Sequence, residues 1–225
     1  MPLATEHLAV EIPAGPAVLL QADLVFPPDP VIGVVAFAHG SGSSRHSARN
    51  RLVASRLHEA HLATLLLDLL TLEESQRDTV TTEHRFDIPL LAGRLVSAVD
   101  FLSADAHTRH LPVGLFGAST GAAAALVAAA HRPAQVAAIV SRGGRPDLAA
   151  DAIARVRAPT LLIVGGEDHP VIALNEQVIP LLRTRKELLL IPGATHLFAE
   201  PGTLEQVSDL AAGWFQKHLR RPTGG

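Results

Sequence analysis

The sequence predicts an α/β fold with a doubly wound, mostly parallel sheet, helices on both faces and an antiparallel hairpin at the N-terminal edge. Short apolar runs, most of them bounded by Gly or Pro, recur along the chain and are typical of strands buried on both faces. Segments with helical spacing of apolar residues separate these runs. We therefore expect residues 1–225 to form one domain, with residues 1–30 as the edge hairpin and residues 220–225 as a flexible tail.

The hairpin comes first in the chain. His7–Ile12 and Ala17–Phe26 alternate between apolar and polar residues around a Gly-Pro pair, which favours two antiparallel strands. Six apolar runs of strand length follow. The strands predicted from these runs are Val31–Ala38, Ala63–Leu70, Leu111–Phe116, Val136–Val140, Pro159–Val164 and Glu187–Ile191.

Helices are predicted between and after these strands. The segments with helical spacing are Ala48–Ala60, Ile88–Leu102, Gly121–His131, Asp147–Val156, Val171–Leu182 and Leu204–His218. Because Pro180 lacks a backbone N–H, the helix that contains it is expected to kink or stop about one turn before its pattern ends. Thr203 is the expected N-cap of the last helix. Five successive strand–helix–strand units predict a ligand site at the carboxyl ends of the strands.

Composition excludes several classes of protein. Hydrophobic residues make up 48% of the chain and charged residues 18%, so the chain can bury a sizeable core and is not a disordered tail. The chain has no cysteine, which excludes disulfides, thiolate metal sites and a cysteine nucleophile. A net charge of −3 offers no field that attracts phosphate backbones, so we expect no nucleic-acid partner.

The sequence also predicts that the protein contacts no membrane. The longest uninterrupted apolar run, Ala122–Ala130, is about half of the ~18 residues that a transmembrane helix needs. Met1–Pro16 lacks the basic start and the long apolar run of a signal peptide, and it carries Glu6 and Glu11. We therefore expect a soluble cytoplasmic protein.

The strongest chemical signal is the sequence Gly-Ala-Ser-Thr-Gly, which places Ser119 between two glycines. It directly follows the predicted strand Leu111–Phe116 and opens an alanine-rich helix. A serine on such a strained strand-to-helix turn is exposed as a nucleophile, and the glycines let strand and helix approach each other. Ser119 is therefore the candidate nucleophile.

A serine hydroxyl needs a base to take its proton and a carboxylate to orient that base. Asp168 and His196 each follow the end of a predicted strand, in the chain order Ser, Asp, His. Glu167 is the alternative acid, but the preceding Gly-Gly turn favours Asp168 because it places that residue on the loop. The sequence predicts a triad of Ser119, Asp168 and His196.

The negative oxygen that forms during attack on a carbonyl needs two backbone N–H donors. Thr120 follows the nucleophile and supplies the first candidate donor. The second is expected from the loop after the first central strand, which reads His-Gly-Ser-Gly, and we choose Ser41. Glycine-flanked backbone can approach a substrate closely.

These motifs together make the chain resemble the α/β-hydrolase fold over nearly its whole length. The connection Ser141–Ala158 is too short for a cap domain, and the chain is similar to the dienelactone hydrolase-like group. It also resembles hydrolase domains that some bacterial proteins carry fused to a phosphoribosyltransferase. The nucleophile of true dienelactone hydrolases is a cysteine, whereas Ser119 stands here, so the resemblance favours a serine esterase.

Three weaker signals have alternatives that stay open. Arg142 and Arg145 follow the fourth central strand, and Arg142 is our candidate for binding a substrate carboxylate or phosphate, the alternative being solvated loop arginines. His58 and His61 have the spacing of metal ligands on a helix, but no acidic partner is evident, and we expect no metal site. Glycines at 114, 117 and 121 loosely imitate a dinucleotide-binding loop, but they follow the wrong strand for it.

The sequence thus predicts a serine hydrolase that cleaves small carboxylic esters through an acyl-enzyme, without metal or cofactor. A thioester or lactone hydrolase and an acyltransferase would use the same triad. A binding protein that keeps the fold without turnover is the alternative from another class. The expected partner is a small-molecule ester, and the sequence leaves the oligomeric state open.

Overall fold

A computed structural model describes residues 5–28 and 30–220. The residues beyond these ranges include most of the tail expected at 220–225 and the first four residues of the expected hairpin segment. Within the described ranges, no helix is both long and apolar enough to cross a membrane.

Eight strands form one sheet in the order β1-β2-β4-β3-β5-β6-β7-β8. The two pairings at the N-terminal edge, β1 with β2 and β2 with β4, are antiparallel, and all the others are parallel. This topology confirms the predicted fold class. The strands are β1 (Glu6–Pro13), β2 (Leu19–Phe26), β3 (Gly33–Ala38), β4 (Leu62–Leu67), β5 (Val113–Ala118), β6 (Val136–Arg142), β7 (Thr160–Gly165) and β8 (Lys186–Ile191).

Six α-helices connect or follow these strands. They are α1 (Ala48–Glu59), α2 (Leu72–Thr81), α3 (Ile88–Ala104), α4 (Thr120–His131), α5 (His169–Val178) and α6 (Thr203–Leu219). Two 3₁₀ segments, Pro146–Arg155 and Ile179–Leu181, complete the connections before β7 and β8. The short segment between β6 and β7 leaves the carboxyl ends of the strands without a cap domain.

The sheet is covered on both faces because its central strands are apolar on both faces. In β3, Val34 and Ala36 pack into a layer with α3 and α4, whereas Val35 and Phe37 pack into a layer with α1 and α6. All six residues of β3, β4, β5 and β7 are buried. Each large side chain so buried contributes about 1.5–3 kcal/mol relative to an exposed one, which holds both helix layers on the sheet.

The described structure refines several predicted boundaries. The helix that contains Pro180 stops at Val178, about one turn before its pattern ends, which confirms that expectation. The expected N-cap at Thr203 is wrong by one residue, since Gly202 caps α6 with a left-handed φ of 79° that favours glycine. The expected helix Asp147–Val156 is a 3₁₀ segment that is broken at Ala150, where φ is 43°.

Helix α2 was missed by the sequence analysis. Only Asp78 of its ten residues is buried, so the segment lacks the apolar stripe that predicts a helix. Its signal was a capping box, in which Thr71 binds the backbone N–H of Glu74 and the Glu74 side chain binds that of Thr71. Thr71-x-x-Glu74 is readable from the sequence alone.

Candidate active site

Ser119 lies between β5 and α4, at the carboxyl edge of the sheet. Its φ of 52° and ψ of −120° are strained for a residue with a side chain, as the predicted turn requires. Three backbone hydrogen bonds hold it there. Its N–H donates to the Arg142 carbonyl at 3.2 Å, and its own carbonyl accepts from Ala122 and Arg145 at 3.1 Å each.

The glycines that flank Ser119 are required by close contacts. A Cβ on Gly117 would overlap the Cα of Ala122 in the first turn of α4. A Cβ on Gly121 would overlap the Ala38 carbonyl at the end of β3. The turn therefore packs against its neighbours through bare backbone, which is the reason the sequence motif needs both glycines.

Asp168 and His196 are in contact, as the sequence predicts. The Nδ1 of His196 lies 2.6 Å from Oδ2 of Asp168. Because an ionised carboxylate only accepts hydrogen bonds, Nδ1 is the nitrogen that carries the proton, and Nε2 is left as the basic nitrogen. The Glu167 side chain is exposed, and its backbone N–H donates to Ala194, so the structure brings Asp168 and not Glu167 to the histidine.

Further contacts position the histidine loop. Glu200 accepts hydrogen bonds from the Thr195 hydroxyl at 2.6 Å and from the Thr195 N–H at 3.1 Å, and these bonds lower the pKa of the Glu200 carboxyl below its ordinary value. The Gly143 backbone lies against His196, because a Cβ built there would be 3.6 Å from the Cε1 of the imidazole. The sequence analysis missed Glu200, for which its position four residues after the histidine was the only signal.

The loop that follows β3 lies beside Ser119. A Cβ on Gly40 would be 3.2 Å from the Cβ of Ser119, so the two residues touch. His39 fixes this loop. Its Nε2 accepts a hydrogen bond from the Leu69 N–H at 3.0 Å, which leaves the proton on Nδ1, 2.9 Å from the Gly40 carbonyl. Burial lowers the pKa of His39, so this imidazole is neutral.

The orientation of the Gly40 carbonyl also fixes that of the Ser41 N–H, which belongs to the same peptide group. The Gly40 carbonyl accepts from the Ser43 N–H at 3.2 Å as well as from His39. In a planar trans peptide the N–H points opposite to the carbonyl, so the Ser41 N–H faces away from this turn. Thr120 is the first residue of α4, and an N–H in the first turn of a helix has no partner within the helix.

Ser41 and Thr120, the two candidate donors, line the same cavity of about 70 Å³. Its opposite wall comes from α2, α3 and the segment between them. Asp78 on this wall is buried and binds Arg85, through the guanidinium at 2.7 Å and through the backbone N–H at 3.0 Å. The remaining lining residues are His39, Gly40, Gly42, Ser43, Leu70, Ser75, Thr79 and Leu91.

The two arginines singled out in the sequence differ. Arg145 forms a two-pronged ion pair with Asp147 at 2.9 and 2.8 Å, which raises the pKa of its guanidinium. Arg142 is 8% exposed, and its Nη1 is buried without a hydrogen-bond partner. Asp147 thus compensates the charge of Arg145, whereas no acidic side chain within residues 5–28 and 30–220 compensates that of Arg142.

The remaining signals fall outside this site. His58 is hydrogen-bonded to the Thr64 hydroxyl at 2.8 Å, in the layer between α1 and the sheet. Gly114 lies within β5, where a Cβ would be 2.7 Å from the Phe215 ring. Across residues 5–28 and 30–220, no three His, Asp or Glu side chains converge as a metal site would require.

The parts that meet at this edge suit covalent acyl transfer. They are a hydroxyl on a strained turn, an imidazole oriented by a carboxylate, and two residues, Ser41 and Thr120, that line one cavity. This chemistry uses no metal and no cofactor.

Comparison with known proteins adds a family and a fold. Residues 20–217 match the family described as the dienelactone hydrolase family. The chain is similar to a dienelactone hydrolase from Anabaena variabilis, with 57% identity, a TM-score of 0.94, and coverage of 96% of this chain and 99% of that one. It shares its fold with an α/β serine hydrolase without lid from Xanthomonas campestris, at 20% identity, TM-score 0.73 and full coverage of both chains.

Two curated relatives from Mycobacterium tuberculosis, of strains CDC 1551 and H37Rv, are provisionally named phosphoribosyl transferases. Each is 54% identical over 221 residues, which is 98% of this chain and 48% of the relative. The chain therefore spans about half the length of these relatives.

Proposed function

Since this chain belongs to the dienelactone hydrolase family, we propose that it is a serine hydrolase of small carboxylic esters that uses Ser119, His196 and Asp168. The observation that carries the proposal is the 2.6 Å contact between Asp168 and His196, at the sheet edge where Ser119 occupies its strained turn. This contact leaves Nε2 of His196 as the base that a serine nucleophile needs.

In the proposed reaction, Nε2 of His196 takes the proton of the Ser119 hydroxyl as its oxygen attacks the ester carbonyl. The N–H groups of Ser41 and Thr120 bind the oxygen that becomes negative. His196 then gives the proton to the leaving alcohol, and an acyl group remains on Ser119. Water, activated by the same imidazole, releases the acid.

The proposed substrate is small because the cavity beside the donor amides has a volume of only about 70 Å³. Thioesters and lactones use the same residues and are tested in the same panel of substrates. The mycobacterial relatives are named for phosphoribosyl transfer, and this chain matches 48% of their length. The residues that meet at its sheet edge suit acyl transfer, so hydrolysis is the activity we propose for it.

A fluorophosphonate probe tests this proposal, because it reacts with activated serines. We expect one adduct per chain, located at Ser119 by peptide mass spectrometry, together with turnover of 4-nitrophenyl acetate. Ser119→Ala is expected to remove both signals, whereas Ser55→Ala on the exposed face of α1 keeps both. An adduct on another serine would overturn the assignment. No adduct, with no turnover of esters, thioesters or lactones, would favour a binding protein.

A further inference from the structure

Arg142 is placed where it can act on substrate. It is the last residue of β6, and its carbonyl accepts the backbone N–H of Ser119. The next residue, Gly143, lies against the ring of His196. Side chains alternate along a strand, so Arg142 points to the same face as Val140, which packs into the layer of α1 and α6.

Among the residues that the structure describes, no carboxylate pairs with Arg142. Its Nη1 and the Nε of Arg49 are both buried without a hydrogen-bond partner among the described residues. Arg49 belongs to the first turn of α1, where the helix dipole adds further positive potential. Burial, and then the nearby Arg49, lower the pKa of Arg142 to about 10, so the guanidinium still carries its charge at neutral pH.

The buried guanidinium of Arg142 is costly in the free protein, and an anion bound to it and to the half-buried Arg49 would offset this cost. Guanidinium groups bind carboxylates and phosphates through paired N–H donors. The feature therefore has the chemistry of a site for a small anion.

The position of the site indicates which part of the substrate carries this anion. The cavity beside Ser41 and Thr120 is bounded by Leu91, which packs in the layer of α3 on the opposite face of the sheet from Arg142. The leaving alcohol must lie beside His196, which protonates it. Ala194 and Phe198, which flank His196 in the chain, pack in the same layer as Val140, so Arg142 is on that side.

We propose that Arg142 and Arg49 bind an anionic group, a carboxylate or a phosphate, on the alcohol portion of the ester. This inference rests on the proposed function, because the proposed reaction puts the acyl group on one side of Ser119 and the leaving alcohol on the other. It narrows the substrate class to esters of small acyl groups with an anionic alcohol.

The test compares acetyl esters that differ in charge on the alcohol. 4-Acetoxybenzoate carries a carboxylate there, its methyl ester is neutral, and 4-acetoxyphenyl phosphate provides the phosphate arm. We expect kcat/KM for at least one anionic ester to exceed that of the neutral ester by about 10- to 100-fold, the range of a charge-assisted hydrogen bond. The anionic ester with the larger ratio of its kcat/KM to that of the neutral ester identifies the preferred anion.

Variants assign this preference to its residues. Arg142→Met should bring the ratio close to one while the neutral ester is still turned over, and Arg49→Met should reduce it. Arg157→Met, an exposed arginine that precedes β7, should leave it unchanged. If Arg142→Met does not fold, Arg49→Met decides the question.

A second pair of substrates tests whether the bound anion belongs to the alcohol portion or to the acyl portion of the ester. Mono-4-nitrophenyl adipate carries its carboxylate on the acyl group, and 4-nitrophenyl hexanoate is the matched neutral ester. An Arg142-dependent preference for the adipate would overturn the assignment to the alcohol. Equal rates on charged and neutral acetyl esters would overturn the anion site alone, whereas absence of turnover and of fluorophosphonate labelling would overturn the proposed function.

Discussion

An arginine lies on each of the two sides of Ser119, the side toward α3 and the side toward α1. One of these arginines is paired with a carboxylate, and the other is not. On the side of α3, Arg85 is bound by the buried carboxylate of Asp78 through its side chain and its backbone. On the side of α1, Arg142 is buried with no acidic partner in the described chain. The first arginine is a structural part of a wall, whereas the second is the residue that we propose to bind an anion of the substrate.

Burial alone does not separate a structural cation from a functional one. A carboxylate that pairs with a buried arginine satisfies its donors, so the pair can fix a segment such as the connection between α2 and α3. A buried arginine without such a partner costs free energy in the free protein, and a bound anion would offset this cost.

The largest effect is expected on the His196 side. Asp168→Asn would leave the contact with Nδ1 but favour the wrong tautomer of the imidazole, so that Nε2 no longer acts as the base. We expect kcat for 4-nitrophenyl acetate to fall by about 10⁴-fold, as in a triad that loses its carboxylate. Steady-state kinetics on the folded variant measures this.

Glu167→Gln is the matched control, because Glu167 is the neighbouring acid and its side chain is exposed. It should change kcat by less than about threefold, within the range of surface substitutions. If Glu167→Gln is the more damaging of the two, Asp168 is not the residue that orients the base.

A smaller effect is expected on the stability of the α3 side. Burial raises the pKa of Asp78, but hydrogen bonds from the backbone of His84 and from Arg85 outweigh it and hold the pKa below its ordinary value. Asp78→Asn should therefore lower the free energy of unfolding by about 1.5–3 kcal/mol at pH 7, the range for bonds to a charged group. Denaturant titration measures this loss.

The sign of the pH dependence follows from the lowered pKa. The contribution of Asp78 is present above the ordinary aspartate value near 4 and is lost as the pH falls through the folded pKa, so wild type and variant should converge between about pH 5 and pH 2. Asp100→Asn removes a similar pair with Arg132 at the surface and should cost no more than about 1 kcal/mol. Equal losses for the two variants would mean that Asp78 gains nothing from its burial.

The sequence predicted the parts of the site that depend on chain order and backbone geometry. Ser119 and its flanking glycines follow from one short motif, and the sheet topology brings Asp168 and His196 together because both follow the ends of parallel strands. The two-strand edge and the stop before Pro180 were predicted for similar local reasons.

The sequence did not predict the contacts between segments distant in the chain. Helix α2 carries no apolar stripe, so periodicity gave no sign of it or of the wall that it contributes through Asp78. The difference between Arg142 and Arg145 was not predicted, because both stand in one glycine-containing stretch of the sequence and only folding shows which has a carboxylate beside it. Whether an arginine is paired depends on which side chains the packing brings beside it.

A third effect concerns His39, which holds the loop between the two sides. Since burial lowers the pKa of His39 below 6.5, its contribution to stability is complete above that pH and is lost as the pH falls, by up to about 1.4 kcal/mol per pH unit. The free energy of unfolding should therefore fall more steeply between pH 6.5 and 5.5 in wild type than in His39→Gln. Burial also lowers the pKa values of His58 and His218, but both are present in either protein. Parallel pH profiles would show that His39 can bind a proton without disturbing the loop.

The smallest effect on kcat/KM is expected from lengthening the acyl chain of the substrate by one methylene at a time. The cavity of about 70 Å³ beside Ser41 and Thr120 is bounded by Leu70, Leu91 and the polar wall of α2. A methylene contributes about 0.8 kcal/mol, or roughly fourfold in kcat/KM, only while it is buried. In a series of 4-nitrophenyl esters, kcat/KM should therefore rise over the first few carbons and level off between about two and six.

Enlarging the cavity should change the acyl-chain length at which kcat/KM levels off. Leu91→Ala opens the wall and should shift the plateau to longer acyl chains, whereas Leu95→Ala, one turn further along α3 and buried in the core, should not. Both substitutions remove a buried leucine side chain and should cost about 2–5 kcal/mol of stability, so a difference between their chain-length profiles reports on the cavity and not on general loosening. A steady rise in kcat/KM out to twelve carbons in wild type would place the acyl chain elsewhere. It would then lie on the α1 side, where an uncompensated Arg142 would meet an apolar chain, and the distinction between the two sides would fail.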